Sequence, residues 1–259
     1  MNLKKMRTSL KAVLFLLLLA AAAQAQVRRA PYGLPAGARV IEERALELGD
    51  GRRRSLVLWM LRPKRYPRAT PDEGYTCPEE TRGSFYHGPT RVTLVDTAAG
   101  RVVNTVKVLD EDEDAFDIPY RIHAAYYHVE GVAGGREGRP TILRLRDFNG
   151  DGRAEEFALY NAWACMGLGT ALFGYSEKQD RVIQYPTSLE VTDTKGLKRT
   201  EALDWVDYLF SKAPTAPGRW KYEIDYRGRG GSLDSYEVHY DPAAERFEGT
   251  LKSTTDEQQ

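Results

Sequence analysis

The sequence predicts a mainly β protein, an antiparallel meander arranged as a sandwich, a barrel or a small propeller-like array, with one short helix near residues 201–211. Three observations carry that prediction. Apolar residues fall in many short runs bounded by Gly, Pro and Asp instead of long 3.6-residue periods. Fifteen Tyr and 23 Gly match strand and turn chemistry. Three similar turns recur, Asp96–Arg101, Ser176–Arg181 and Asp241–Arg246, each with a capping Asp or Ser, four intervening residues and an Arg. Strand-like runs flank each of them: Val92 to Val95 and Val102 to Val108, Leu172 to Tyr175 and Val182 to Tyr185, Tyr236 to Tyr240 and Phe247 to Leu251. The turns begin 80 and 65 residues apart, too irregular for the fixed period of a solenoid or uniform propeller.

Residues 1–25 read as a secretory signal peptide. Lys4, Lys5, Arg7 and Lys11 form a basic start, Ala12 to Ala23 a 12-residue apolar run, and Ala23-Gln24-Ala25 a cleavage signal. The apolar run falls short of the roughly 20 residues a spanning helix needs, so a membrane anchor is the weaker alternative. A mature chain beginning at Gln26 carries 33 Lys+Arg against 37 Asp+Glu, and is expected in a secreted or periplasmic setting without a membrane span. An acidic balance argues against a nucleic-acid partner, which calls for a basic face.

Residues 26–38, with Pro31, Gly33, Pro35 and Gly37, lack periodicity and read as a flexible lead-in. One β-rich domain over 39–252 follows, then a disordered tail over 253–259. Val40 to Leu48 and Arg54 to Leu61 are strands joined by Gly49-Asp50-Gly51, the second apolar enough to be central. Arg62 to Thr90, with five Pro and three Gly, is a long irregular stretch. It contains Cys77, and the only other cysteine is Cys165. In an oxidising compartment the two most simply pair, closing an 88-residue loop; two free thiols are the alternative. Such a bridge is worth about 4–5 kcal/mol before strain. Asp110 to Asp114 is an acidic run, read as solvent-facing or as a second cation or partner surface. Tyr126 to His128 reads as a strand. Further on, Thr200 caps the expected helix, with Leu203, Val206 and Phe210 on one face and Pro214 ending it. Trp220 to Tyr226 and Tyr236 to Tyr240 are strands around the turn Arg227-Gly228-Arg229-Gly230-Gly231.

One stretch has spacing that dictates a chemistry. In Asp147-Phe148-Asn149-Gly150-Asp151-Gly152-Arg153-Ala154-Glu155, oxygen-bearing side chains alternate, a glycine stands sixth and a carboxylate ninth. Hard cations such as Ca²⁺ take six to eight oxygens from loops of this kind. The twelfth residue, Ala158, is not the Glu of an EF-hand, and both flanks are strand-like. A loop of this pattern between two strands resembles the calcium-binding hairpin of FG-GAP and VCBS-type repeats, over about 20 of 259 residues. The resemblance implies that Asp147, Asn149, Asp151, Glu155 and the Arg153 carbonyl are Ca²⁺ ligands. An Asx-rich turn without metal is the alternative.

Familiar catalytic signatures are missing from the sequence: it holds no Gly-x-Ser-x-Gly, no His-Glu-x-x-His and no phosphate loop. Its four histidines, His87, His123, His128 and His239, are scattered. Two functional classes remain. One is a calcium-stabilised, disulfide-stapled binding or structural module that presents Arg62 to Thr90 to a protein or glycan. The other is an extracellular glycoside hydrolase using a carboxylate pair, sought first over Asp110 to Asp117 and walled by Trp59, Trp163, Trp205 or Trp220.

Overall fold

The computed structural model describes residues 31–66, 85–110, 113–118, 128–130, 139–163 and 167–255. Residues 1–25, read above as a leader, lie outside them with Cys77 and Cys165, as do residues 67–84 of the long stretch and 256–259 of the expected tail.

The first half of the chain contributes β1 (Ala38–Ala45), β2 (Arg54–Leu61), β3 (Lys64–Tyr66), β4 (Phe85–Gly88), β5 (Thr90–Asp96), β6 (Arg101–Val108), β7 (Phe116–Ile118), β8 (His128–Glu130) and β9 (Arg139–Thr141). After the acidic loop come β10 (Glu156–Trp163), β11 (Gly167–Ser176), β12 (Arg181–Tyr185), β13 (Thr187–Thr192), β14 (Lys198–Leu203) and β15 (Val206–Asp207). The last three are β16 (Arg219–Asp225), β17 (Leu233–Asp241) and β18 (Arg246–Thr254). They form a first sheet β1-β2-β5-β6, a second β10-β11-β12 with β15 beside β11, and a third β14-β13-β18-β17-β16. Two small sheets, β3-β4-β7 and β8-β9, complete the set. The fold is β-rich and largely antiparallel, and among the described residues no closed barrel forms.

All three look-alike turns are tight hairpins, pairing Asp96 with Arg101, Ser176 with Arg181 and Asp241 with Arg246. In each the first side chain accepts a backbone N–H inside the turn: Asp96 from Ala99, Ser176 from Gln179 and Asp241 from Ala243. The residue before each Arg is left-handed, Gly100 at φ 64°, Asp180 at 49° and Glu245 at 50°. The turns also meet in space. Arg54 pairs with Asp96 at 2.8 Å and with Asp180 at 3.1 Å, and Gln179 donates to Glu245 at 2.8 Å.

The main core draws on all three large sheets, with Leu56, Leu58 and Met60 of β2, Phe157 and Leu159 of β10, Phe173 and Tyr175 of β11, and Trp220 and Phe247 of the third sheet. Burying each such side chain contributes about 1.5–3 kcal/mol. The other face of β2 places Val57 and Trp59 in a second cluster with Leu34 and Val95. The end of the expected lead-in therefore packs on β2, and Tyr32 donates a hydrogen bond to Glu43 at 2.7 Å.

Several expectations are corrected. The helix near 201–211 shrinks to one 3₁₀ turn, Leu209–Ser211, because Lys198–Leu203 extends and pairs with Thr187–Thr192. β13 runs parallel to β18, since Pro186 ends β12 and sends the chain into the third sheet, where its carbonyl accepts from Phe247. The irregular stretch begins and ends in strands, with Lys64–Tyr66 paired to Phe85–His87. Ser253 and Thr254 of the expected tail pair with Asp234 and Leu233.

Candidate metal centre

The acidic loop is closed at its neck by a two-way backbone bridge between Arg146 and Glu156, at 2.8 and 3.2 Å. Within it the alternate side chains turn inward onto the loop's own N–H groups. Asp147 Oδ1 accepts from Gly150 at 2.7 Å and Asp151 at 3.1 Å, and its Oδ2 accepts from Gly152 at 2.9 Å. Asn149 Oδ1 accepts from Asp151 at 2.9 Å, and Asp151 Oδ1 from Arg153 at 2.8 Å. Gly150 and Gly152 sit at φ 82° and 89°, a conformation that favours glycine.

Three anchors fix the loop to the body. Phe148 is buried, meeting Phe210 edge to face at 5.8 Å; Phe210 in turn packs on Trp220 and Phe247. Gly150 abuts the backbone of Pro217 and Gly218, which leads into β16. Arg153 donates to Glu177 at 2.6 Å, in the turn between β11 and β12.

Two buried carboxylates stand at the neck. Glu155, the expected ninth-position ligand, is 3% exposed, and its Oε1 has no hydrogen-bond partner. Its nearest cation is the Arg153 guanidinium, at 4.0 Å. Burial raises its pKa, the Arg153 charge opposes this, and Asp151 and Glu177 add to the rise. Glu156 is fully buried. It accepts from the Asn149 side chain at 3.1 Å and from the Phe148 N–H at 3.0 Å. Burial pushes its pKa to about 8 against the pull of the Phe148 N–H. Sequence spacing singled out Glu155 and passed over Glu156; the signal was a carboxylate opening the apolar run Phe157-Ala158-Leu159.

Of the five expected ligands, Asp147, Asn149, Asp151 and Arg153 lie together on the loop, and Glu155 lies beneath its C-terminal side against Arg153. Among the described residues no three Asp, Glu, His or Cys side chains gather to hold a metal. The donors nonetheless suit a hard cation in kind. Carboxylate oxygens have two lone pairs each, so Asp147 Oδ2 and Asp151 Oδ1 keep capacity beyond the single N–H each accepts. The Asn149 amide and the Arg153 carbonyl supply the neutral donors, and the Glu155 oxygen is a buried acceptor without a donor.

The other candidates are engaged elsewhere. Asp114 makes a two-point ion pair with Arg91 at 2.5 and 2.6 Å, which holds its carboxyl below the usual range, a state suited to a fixed anion and not to a general acid. Asp110 accepts from Asn161, and the side chains of Asp117, Trp163 and His128 lie outside the described residues, as does His123. Trp59 and Trp220 are core residues whose indole N–H groups donate to Thr93 and to the Lys212 carbonyl. Trp205 stacks on Phe116 at 5.4 Å and donates to the Leu109 carbonyl. His87 is exposed and His239 half-buried, on strands of different sheets. Among the described residues no helix is long and apolar enough to cross a membrane. No protein-family model, curated protein or solved structure matches this chain.

Proposed function

We propose that this chain is an exported β-protein in which Ca²⁺ taken up by the loop 147–155 secures the junction of the second and third sheets, and that it serves as a binding or structural module for a protein or glycan. The observation that carries this reading is the buried Glu155 oxygen left without a donor beside Asp151 and Arg153, since an orphaned buried acceptor costs about 1–3 kcal/mol. Asp147, Asn149, Asp151, Glu155 and the Arg153 carbonyl would hold the ion, in the manner of the FG-GAP and VCBS-type hairpins the loop resembles. The ion supplies charge neutralisation and rigidity. Phe148 and Gly150 then transmit that rigidity to the third sheet and Arg153 to the turn after β11. The leader-like residues 1–25 support export.

The test is thermal unfolding of the secreted protein and of Asp151→Ala with millimolar CaCl₂ and with EDTA. With a dissociation constant of about 10⁻⁴–10⁻³ M, typical of extracellular modules, about 1 mM calcium stabilises the wild type by about 0.4–1.4 kcal/mol. Asp151→Ala removes that calcium-dependent increment, and in EDTA it is expected to lose only about 0.5–1.5 kcal/mol, from the hydrogen bond that its carboxylate accepts from the Arg153 N–H. Failure of the wild type to respond to calcium, together with no metal mass in its native mass spectrum, overturns the reading.

A further inference from the structure

Building on the cation reading above, we infer that the Arg153 side chain is a resident counter-ion that competes with the divalent cation for the same carboxylates. Its guanidinium reaches acids from three parts of the chain. It lies 3.4 Å from Asp151 Oδ2 on the loop, 2.6 Å from Glu177 on the turn between β11 and β12, and 4.0 Å from Glu155 at the neck. Glu155 is the observation that makes this more than an acidic cluster, because it is 3% exposed, unsatisfied at Oε1, and faces Arg153. Without metal, one positive charge serves Asp151, Glu155 and Glu177, with Arg52 adding a more distant attraction.

The same residue acts in both states with opposite signs. Its backbone carbonyl is an expected ligand, whereas its side chain places a positive charge where the ion would come. Glu177 resolves the conflict: it lies outside the ligand set and is 53% exposed at the side chain, so it can keep the guanidinium when Asp151 and Glu155 turn to the metal. A like charge held several ångströms from a divalent ion in a water-like medium weakens binding by Coulomb repulsion, on the order of tenfold. The side chain thereby sets the loop for the millimolar calcium of an extracellular setting and steadies it when calcium is scarce.

The experiment is calorimetric titration of the full-length secreted protein with CaCl₂, alongside melting in EDTA, for wild type, Arg153→Gln and Arg153→Lys. Arg153→Gln keeps the carbonyl and removes the charge. It is expected to bind calcium about tenfold more tightly while melting lower than wild type in EDTA, so that the two proteins change rank between buffers. Arg153→Lys, which keeps the charge, is expected to stay within about threefold of wild type and guards against a general folding defect. Wild type that binds calcium with Arg153→Gln binding no better overturns the inference and leaves the cation reading standing. Binding by Arg153→Gln with none by the wild type overturns the cation reading for the native chain and the inference with it. No binding by any of the three overturns both.

Discussion

Gly150 and Gly218 meet backbone to backbone: a methyl group on Gly150 would lie 2.7 Å from the Gly218 nitrogen, and one on Gly218 would lie 2.5 Å from the Asn149 carbonyl oxygen. Both are left-handed, at φ 82° and 64°. Each position thus excludes a Cβ twice over, by space and by backbone conformation. The contact sets the acidic loop of the second sheet against the entry to β16 in the third.

Gly218→Ala is expected to lower unfolding free energy by about 2 kcal/mol or more, since alanine at positive φ is strained and the facing atoms are backbone. Gly152→Ala is the control. Its conformation is equally left-handed but the space around it is open, so its loss is expected nearer 1 kcal/mol. Urea denaturation of the two variants in EDTA measures the difference, and equal losses would show that the close approach does not matter.

Glu156 gives the fold a pH dependence of unusual sign for a carboxylate. Its folded pKa is about 8, above the 4.5 of an exposed Glu, so the native state holds a proton that the unfolded state releases. Its contribution to stability is complete below the unfolded pKa and is lost as pH rises through the folded one. In EDTA, stability is therefore expected to fall between pH 4.5 and about 8, with a slope of up to about 1.4 kcal/mol per pH unit. Glu156→Gln should flatten that decline at a cost of about 1 kcal/mol at low pH, because the amide presents one donor toward the Phe148 or Asn149 N–H groups, and should overtake the wild type once the decline exceeds that cost, at roughly pH 5–6. Parallel pH series of denaturant midpoints for the two proteins check this.

Strands were legible wherever local chemistry sufficed. The turns Asp96–Arg101, Ser176–Arg181 and Asp241–Arg246 carry their own caps, so each hairpin was read from six residues and its flanks. The apolar run of β2 likewise announced a strand buried on both faces. Pairings that depend on distant partners were not legible. Leu203, Val206 and Phe210 have helical spacing, yet the long-range ladder to Thr187–Thr192 outweighs the local preference, and a strand followed by a 3₁₀ turn carries Val206 and Phe210 into the core. Nothing near Pro186 told that β13 would lie parallel to β18, 60 residues later. At the candidate site the spacing identified the loop and its inward side chains. The role of Glu156 as the buried acceptor for Phe148 and Asn149 depends on how deeply the neck is covered, which spacing does not encode.

Asn104 performs for the first sheet what a further strand would. Its side-chain amide donates to the Val182 carbonyl at 2.8 Å and accepts from the Val182 N–H at 2.9 Å, so one side chain imitates a backbone pair and ties β6 to β12. Val182 is fully buried, and each backbone group orphaned there costs about 1–3 kcal/mol. Asn104→Leu is therefore expected to destabilise by about 2–4 kcal/mol with little dependence on pH. Asn104→Asp separates the two bonds. Its carboxylate still accepts from the N–H but faces the carbonyl with a negative charge, while its protonated form can donate as the amide does. That preference raises the folded pKa of the new carboxyl above its unfolded value, so stability is retained at low pH and lost as pH rises through the folded pKa. Asn104→Asp should approach the wild type near pH 3 and fall to the level of Asn104→Leu by pH 7, in calcium-free buffer with each variant referred to wild type at the same pH. A constant gap between Asn104→Asp and wild type across that range would show that the bond to the Val182 carbonyl contributes little to the junction of the two sheets.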